Sequence, residues 1–306
     1  MYNSEGLPLR FSPAVESALS EKRAVVALES TVITHGLPKP LNWEVLERLQ
    51  QVVEDEDCTA APIIVYQGIA HIGIDDELKE ELQNTDIPFN KLSLRDLPLA
   101  FARKDSGGTT VSATMGLAHQ AGIEVFATGG IGGVHRFWQD SWDVSMDLIA
   151  LSRIPVIVVS AGCKAILDIE ATLEMLESFG VPVVGWQTDT FPLFYTPDSE
   201  YPISRCDDLD LLAQSWRAHK LLRDNGSGML VANPIPHEYG IASSQIEPYI
   251  NQAISEAKHD GIKGKELTPF LLDLLAQITK GESVKANIAL LENNARLAAD
   301  LANIVR

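Results

Sequence analysis

The chain has 306 residues, 45% of them hydrophobic and 22% charged, with a formal net charge of −18. A hydrophobic share of that size fills a large core without disulfides or a structural metal. The negative balance argues against a nucleic-acid polymer as partner, since such binding rests on a basic face and no dense Lys/Arg stripe is present. The expected partner is a small molecule whose anionic part sits in a local positive pocket. Cys58, Cys163 and Cys206 are an odd set without metal-ligand spacing, as expected for reduced thiols in a cytoplasm. Met1 to Phe11 lacks the apolar core of a secretory signal, and no run approaches the ~20 apolar residues of a membrane span. The expected location is cytoplasmic, with no membrane partner.

In chain order, strand-like runs at Val25–Leu28, Pro62–Tyr66, Glu124–Ala127, Val156–Ser160, Val181–Gly185 and Met229–Ala232 alternate with helical patterns. The helical stretches are Asn42–Glu54, Thr110–Gln120, Ile166–Phe179, Leu209–Leu222, Gln245–Asp260 and Thr268–Ile304, the last broken at Lys280-Gly281. Several strand runs lack polar alternation, as strands covered on both faces do. The rhythm predicts an α/β layered fold, and no linker divides residues 1–306 into separate domains.

Glu29 stands where the first apolar run ends. It serves either as an acid/base at the mouth of the sheet or as a helix cap; partial burial would raise its pKa and suit it to proton donation. Lys91 and Arg95, with the hydroxyls and backbone N–H groups of Ser106–Ser112, offer a phosphate site; the alternative is an exposed cation beside an ordinary N-cap. Thr128-Gly129-Gly130-Ile131-Gly132-Gly133-Val134-His135-Arg136 is a glycine-rich turn suited to close approach of a phosphate or to tight packing. It has neither the dinucleotide fingerprint nor a Walker A lysine. His135 is a ligand contact or a structural histidine.

Asp143-x-Ser145-x-Asp147 puts two acids on one helix face, where they would hold Mg²⁺ or Mn²⁺ or simply open a capped helix. Val158-Val159-Ser160-Ala161-Gly162-Cys163-Lys164 carries an amine to the carboxyl end of a strand, the edge where open α/β sheets bind ligands. A helix starting at Ile166 would disfavour its ammonium form, and a neutral lysine there is a nucleophile toward carbonyls. In its own segment it also reads as a surface lysine. Asn287, among apolar neighbours, either reads the edge of a nucleobase or satisfies backbone.

Taken together the motifs resemble the pseudouridine-5'-phosphate glycosidase family, which includes indigoidine synthase A-like proteins. The matching stretches are Val25–Thr31, Thr34-His35-Gly36, Arg95–Pro98, Thr109-Thr110-Val111, Phe126–Arg136, Ser160–Lys164, Val231–Pro236 and Gly264–Phe270. The T-G-G-I-G-G-V-H-R block is the most specific. The resemblance implies a three-layer α/β/α fold with a central, largely parallel or mixed sheet, and a homotrimer. It implies reversible cleavage of pseudouridine 5'-phosphate to uracil and ribose 5-phosphate.

It further implies that Lys164 forms a covalent adduct with the ring-opened ribose and that Glu29 donates a proton. Lys91, Val111 and Ser145-Met146-Asp147 would contact substrate, with His135 and Asn287 as further pocket residues, and Asp143 would bind Mn²⁺. Two features depart from the family pattern: Met146 stands where a smaller residue is expected, and Phe137-Trp138-Gln139-Asp140 is unfamiliar. A lysine-dependent aldolase for a phosphosugar and a phosphosugar-binding regulator are the competing readings. Neither accounts for the whole set of motifs.

Overall fold

A computed structural model describes residues 6–224, 226–262 and 267–306. The stretch Gly264–Glu266 of the last family motif therefore lies outside the described residues. The strands are β1 (Leu9–Phe11), β2 (Val25–Glu29), β3 (Thr59–Tyr66), β4 (Ile69–Ile72), β5 (Asn90–Leu92), β6 (Gly107–Thr109) and β7 (Val125–Ala127). They continue with β8 (Val134–His135), β9 (Ile157–Ser160), β10 (Leu167–Asp168), β11 (Val183–Trp186), β12 (Ser204–Cys206) and β13 (Met229–Ala232). The helices are α1 (Pro13–Ser20), α2 (Leu41–Glu54), α3 (Asp76–Asn84), α4 (Leu97–Arg103), α5 (Val111–Gln120) and α6 (Trp138–Ser141). The rest are α7 (Met146–Leu151), α8 (Ile169–Ser178), α9 (Leu209–Leu222), α10 (Ser243–His259), α11 (Leu267–Ile278) and α12 (Glu282–Val305).

The main sheet runs β1-β4-β3-β2-β7-β9-β13-β11-β12, with β6 pairing to β3 and β5 pairing to β6. All pairs from β3 through β2, β7, β9, β13 and β11 to β12 are parallel; β3 is antiparallel to β4 and β6. The central strands β2, β9 and β13 are buried at every residue. Coverage on both faces explains their unbroken apolar runs. Helix α12 packs on β2, β7 and β9 together with α2 and α9, while α5, joined by α7, packs on β2, β3 and β7. The result is the expected layering of helices about a mostly parallel sheet.

Local sequence sets the helix ends. Asp75, Asp168 and Asp208 cap α3, α8 and α9, accepting from the N–H groups of Leu78 (2.9 Å), Ala171 (3.0 Å) and Leu211 (3.0 Å). The break between α11 and α12 falls at Lys280 and Gly281, both left-handed (φ 52° and 87°), where the sequence places it. Two expectations are corrected. Helix α8 begins at Ile169 rather than Ile166, because Leu167 and Asp168 pair with Val134 and His135 as a small antiparallel ribbon. Lys164 is thus not at the α8 N-terminus, and the helix-dipole argument for its neutrality loses its basis.

Asp143 does not share a helix face with Asp147. Helix α7 starts only at Met146, and Ser145 is its cap, accepting from Asp147 N–H at 3.2 Å. The residues before it run antiparallel to the glycine-rich turn: His135 N–H donates to Asp143 O (3.0 Å) and Ser145 N–H to Gly133 O (2.9 Å).

One buried amide ties helix α12 to the sheet. Asn294 Nδ2 donates to Thr128 O (2.8 Å), and Asn233 Nδ2 donates to Asn294 Oδ1 (3.0 Å). The side chain has no exposure to solvent. Asn294→Ala leaves a buried carbonyl and a buried amide without partners, so it is expected to lower stability by about 1–3 kcal/mol. A urea midpoint equal to that of the wild type would contradict this.

Candidate active site

Strands β2, β7 and β9 lie side by side and parallel, so the segments that follow them emerge at one edge of the sheet. Two of these segments are laced together by backbone bonds. Ala161 N–H donates to Gly129 O (2.9 Å), Ile131 N–H to Gly162 O (3.1 Å) and Lys164 N–H to Ile131 O (3.0 Å). The pairing of β7 with β9 thus continues past the strand ends and carries Lys164 to the glycine-rich turn. Gly162 has φ +75° and a side chain there would collide with the Pro192 carbonyl, so the residue type follows from the bend that presents Lys164.

Glu29, Lys91, Lys164 and Asn287 line one pocket together with Gly129 and Gly130. Glu29 ends β2, Lys91 lies in β5, Lys164 follows β9 and Asn287 projects from α12. Glu29 is buried, with 8% exposure, and Thr128 Oγ1 donates a hydrogen bond to its Oε1. Burial pushes the Glu29 carboxyl above the ordinary carboxylate range; the Lys164 charge, the Thr128 hydroxyl and the Lys91 charge oppose that rise, while the Asp147 charge adds to it. The Glu29 side chain thus lines the pocket and engages the Thr128 hydroxyl.

His135 is half-buried, and burial lowers its pKa, with Asp143 opposing and Lys164 and Lys91 assisting the shift. A neutral imidazole at neutral pH follows. Cys163 is fully buried and its thiol is pushed up to about 12, so it packs rather than reacts.

Other expected site residues lie around the pocket without lining it. Val111 is buried in the core at the start of α5. Both carboxylate oxygens of Asp147 accept backbone amides, from Ser112 (2.9 Å) and Gly132 (2.8 Å). Its side chain therefore braces the glycine turn against α5. A Cβ on Gly132 would lie 2.7 Å from Asp147 Oδ2, which explains the glycine. Ser145 caps α7 and Met146 opens it, half-buried. Arg95 is largely exposed and lies 4.0 Å from Asp96, outside the pocket lining, so the positive charge in the pocket comes from Lys91 and Lys164.

Asp143 is half-buried beside His135. Among the described residues no group of three or more His, Cys, Asp or Glu is placed to hold a metal. With Asp147 committed to amides, Asp143 offers a single hard carboxylate. That fits a largely hydrated Mg²⁺ or Mn²⁺ anchored by one protein ligand, and does not fit a closed protein cage.

Sequence reasoning missed several lining residues. Thr31, Val32, His35 and Gly36 come from the helical turn after β2, where the Thr34 hydroxyl and His35 Nδ1 are 2.7 Å apart. The Thr34-His35-Gly36 motif marked that turn without giving it a role. Phe194, Leu272 and Leu291 also line the pocket, and Phe194 holds a left-handed backbone (φ 66°) with its N–H on Ala161 O (3.1 Å). In the sequence these three look like ordinary core residues.

The Glu29 environment makes a testable statement about stability. The folded chain holds this proton more tightly than the unfolded chain does. The group's stabilising effect is complete below about 4.5, its ordinary value, and is lost as pH rises through the raised folded value. Glu29→Gln has no proton to lose. The thermal midpoint of the wild type should therefore fall relative to Glu29→Gln as pH rises; parallel curves would contradict the raised pKa.

Known proteins resemble this chain over nearly its whole length. The family model "Indigoidine synthase A like protein" matches residues 14–304. A relative from Roseiflexus sp. (strain RS-1), named pseudouridine-5'-phosphate glycosidase, is 46% identical over 306 residues, covering 99% of this chain and 98% of its own. A relative of the same name from Herpetosiphon aurantiacus is 48% identical over 296 residues, covering 96% and 97%. Among solved structures, the prealnumycin C-glycosynthase AlnA in complex with ribulose 5-phosphate superposes with a TM-score of 0.89 at 35% identity, covering 97% of this chain and 96% of that one. An indigoidine synthase A-like protein from Thermotoga maritima gives 0.86 at 34% identity, with the same coverage. A family model that spans residues 14–304, and relatives 46% and 48% identical over nearly the whole chain, show that the chain belongs to the pseudouridine-5'-phosphate glycosidase, or indigoidine synthase A-like, family.

Proposed function

We propose that the protein is an enzyme that reversibly cleaves the C–C glycosidic bond of pseudouridine 5'-phosphate, giving uracil and ribose 5-phosphate. The observation that carries the proposal is the placement of a buried carboxyl, its pKa raised by burial, and a lysine amine in one pocket. The names of the relatives support the substrate. The phosphosugar bound by the solved neighbour supports a site for a sugar phosphate.

The chemistry requires both groups. Carbon is a poor leaving group, so the two-carboxylate route of ordinary glycosidases does not suffice. Glu29 gives its proton to the ribose ring oxygen as the bond from that oxygen to C1' breaks. The Lys164 amine bonds to C1', and its nitrogen then gives up a proton and regains a lone pair. The uracil carbon takes up a proton in place of the one the nitrogen lost, and the lone pair expels the base, leaving a C1'=N iminium on Lys164. Water adds to the iminium, ribose 5-phosphate and the amine are released, and the proton that water contributes returns Glu29 to its acid form. Splitting one hard step into easier ones is the gain of covalent catalysis. Lys91 would hold the phosphate, whose binding energy fixes the sugar for attack. Asn287 would read the uracil edge, and neutral His135 would hydrogen-bond the opened sugar.

Val111 and Ser145-Met146-Asp147 would complete the substrate site, by backbone in the case of Met146 and Asp147. Asp143 would hold a divalent cation, Mn²⁺ in this reading, which supplies charge neutralisation and polarises the oxygens it binds. A cytoplasmic homotrimer is the proposed assembly; among the described residues no helix is long and apolar enough to cross a membrane. Sedimentation at the mass of three chains tests the trimer.

Incubation with pseudouridine 5'-phosphate should release uracil, and borohydride during turnover should leave a reduced sugar phosphate on Lys164. Lys164→Ala should bind substrate and lose activity by on the order of 10³-fold or more. Wild-type turnover by that variant would overturn the covalent scheme. Chelation should suppress activity and Mn²⁺ should restore it, and Asp143→Asn should weaken the Mn²⁺ response; full activity in metal-free buffer would remove the cation from the account.

A further inference from the structure

We propose that Thr128 is a positioning residue for the reaction: its hydroxyl anchors Glu29 Oε1, so that the proton delivered to the sugar sits on Oε2. The inference rests on the acid role given to Glu29 above. Thr128 directly follows β7 and opens the glycine-rich block, which the sequence marked as suited to close approach of a phosphate or to tight packing.

The side chain that does this is itself fixed at its backbone on both sides. Thr128 N–H donates to Val159 O (3.0 Å), which continues the pairing of β7 with β9. Thr128 O accepts from Asn294 Nδ2 (2.8 Å), and Asn294 in turn is held by Asn233 (3.0 Å). With 1% exposure, the residue is shielded from water that would compete for its hydroxyl. A hydroxyl has one proton to donate, and Thr128 directs it to Glu29 Oε1. Among the described residues no hydrogen bond goes to Oε2, and Glu29 lines the pocket. The two carboxyl oxygens are thereby made unequal: one is tied to the sheet and the other is left for the substrate.

The proton balance is simple. Glu29 loses the proton on Oε2 to the ribose ring oxygen and becomes a carboxylate. Thr128 keeps its own proton and donates the same hydrogen bond to the new anion. It therefore helps the acid part with its proton as well as aiming it, in keeping with the lowering influence of this hydroxyl on a carboxyl that burial pushes up. Valine in its place preserves the branched shape and removes the donor. The carboxyl would then turn more freely and would release its proton less readily.

The test compares Thr128→Val, Thr128→Ser and wild type with pseudouridine 5'-phosphate. Thr128→Val should lower kcat by about tenfold or more with little change in KM, and should move the alkaline limb of the kcat profile to higher pH. Thr128→Ser should restore both the rate and the limb. If Thr128→Val does not fold, Thr128→Ala is read in the same way against Thr128→Ser. Wild-type kcat and an unmoved limb in the variant lacking the hydroxyl would overturn the proposal. So would Thr128→Ser as damaged as Thr128→Val, since the methyl group and not the hydroxyl would then matter. Glu29→Gln run alongside separates the two levels: full activity of that variant removes the acid role and this inference with it, whereas an inactive Glu29→Gln beside a normal Thr128→Val removes only the inference.

Discussion

The structure depends on the adjacency of three parallel strands, β2, β7 and β9, whose carboxyl ends open on the same edge of the sheet. One contributes Glu29, one the glycine-rich turn and one Lys164. Backbone pairing beyond the strand ends, from Gly129 to Ala161 and from Ile131 to Gly162 and Lys164, holds the last two in a fixed relation. Lys164 and the glycine-rich turn thus sit on an extension of the sheet rather than on free loops, and small residues are required because the backbones approach one another so closely.

That arrangement also explains the electrostatics. A chain of net charge −18 assembles two lysines, Lys91 and Lys164, at a pocket with one buried carboxyl. Burial raises the Glu29 pKa, while the Lys164 charge, the Thr128 hydroxyl and the Lys91 charge oppose that rise. Burial lowers the His135 pKa, Asp143 works against that shift, and the same two lysines add to it. Asp147 is the exception among the acids near the site: its carboxylate is consumed by the amides of Ser112 and Gly132, so it shapes the turn and contributes its charge to Glu29 from a distance.

Much of this was legible in the amino-acid order. Strands covered on both faces, such as β2, β9 and β13, announce themselves as unbroken apolar runs, and the long helices α2, α9 and α12 by their periodicity. Glu29, Lys164 and Asn287 were readable because a polar residue at the end of an apolar run, or within an apolar helix stripe, needs a reason, and Lys91 because it is a cation in a negative chain. The short strands were not: β8 and β10 have two residues each, and β6 is Gly107–Thr109, with little side-chain pattern to read. The start of α8 was misplaced because the ribbon of β8 with β10 is a contact between distant segments that local propensity does not encode. Asp143 was put on a helix for the same reason, since its pairing with His135 across the turn is tertiary. Phe194, Leu272 and Leu291 carry no mark that separates pocket from core.

The central claim is that Glu29 and Lys164 serve the same anomeric carbon. A crystal structure of Lys164→Ala with pseudouridine 5'-phosphate bound measures this most directly. The account predicts C1' in the gap left by the lysine side chain, with the ribose ring oxygen about 3 Å from a Glu29 carboxyl oxygen. A ribose bound with its ring oxygen turned away from Glu29, or lodged outside this pocket, would contradict it.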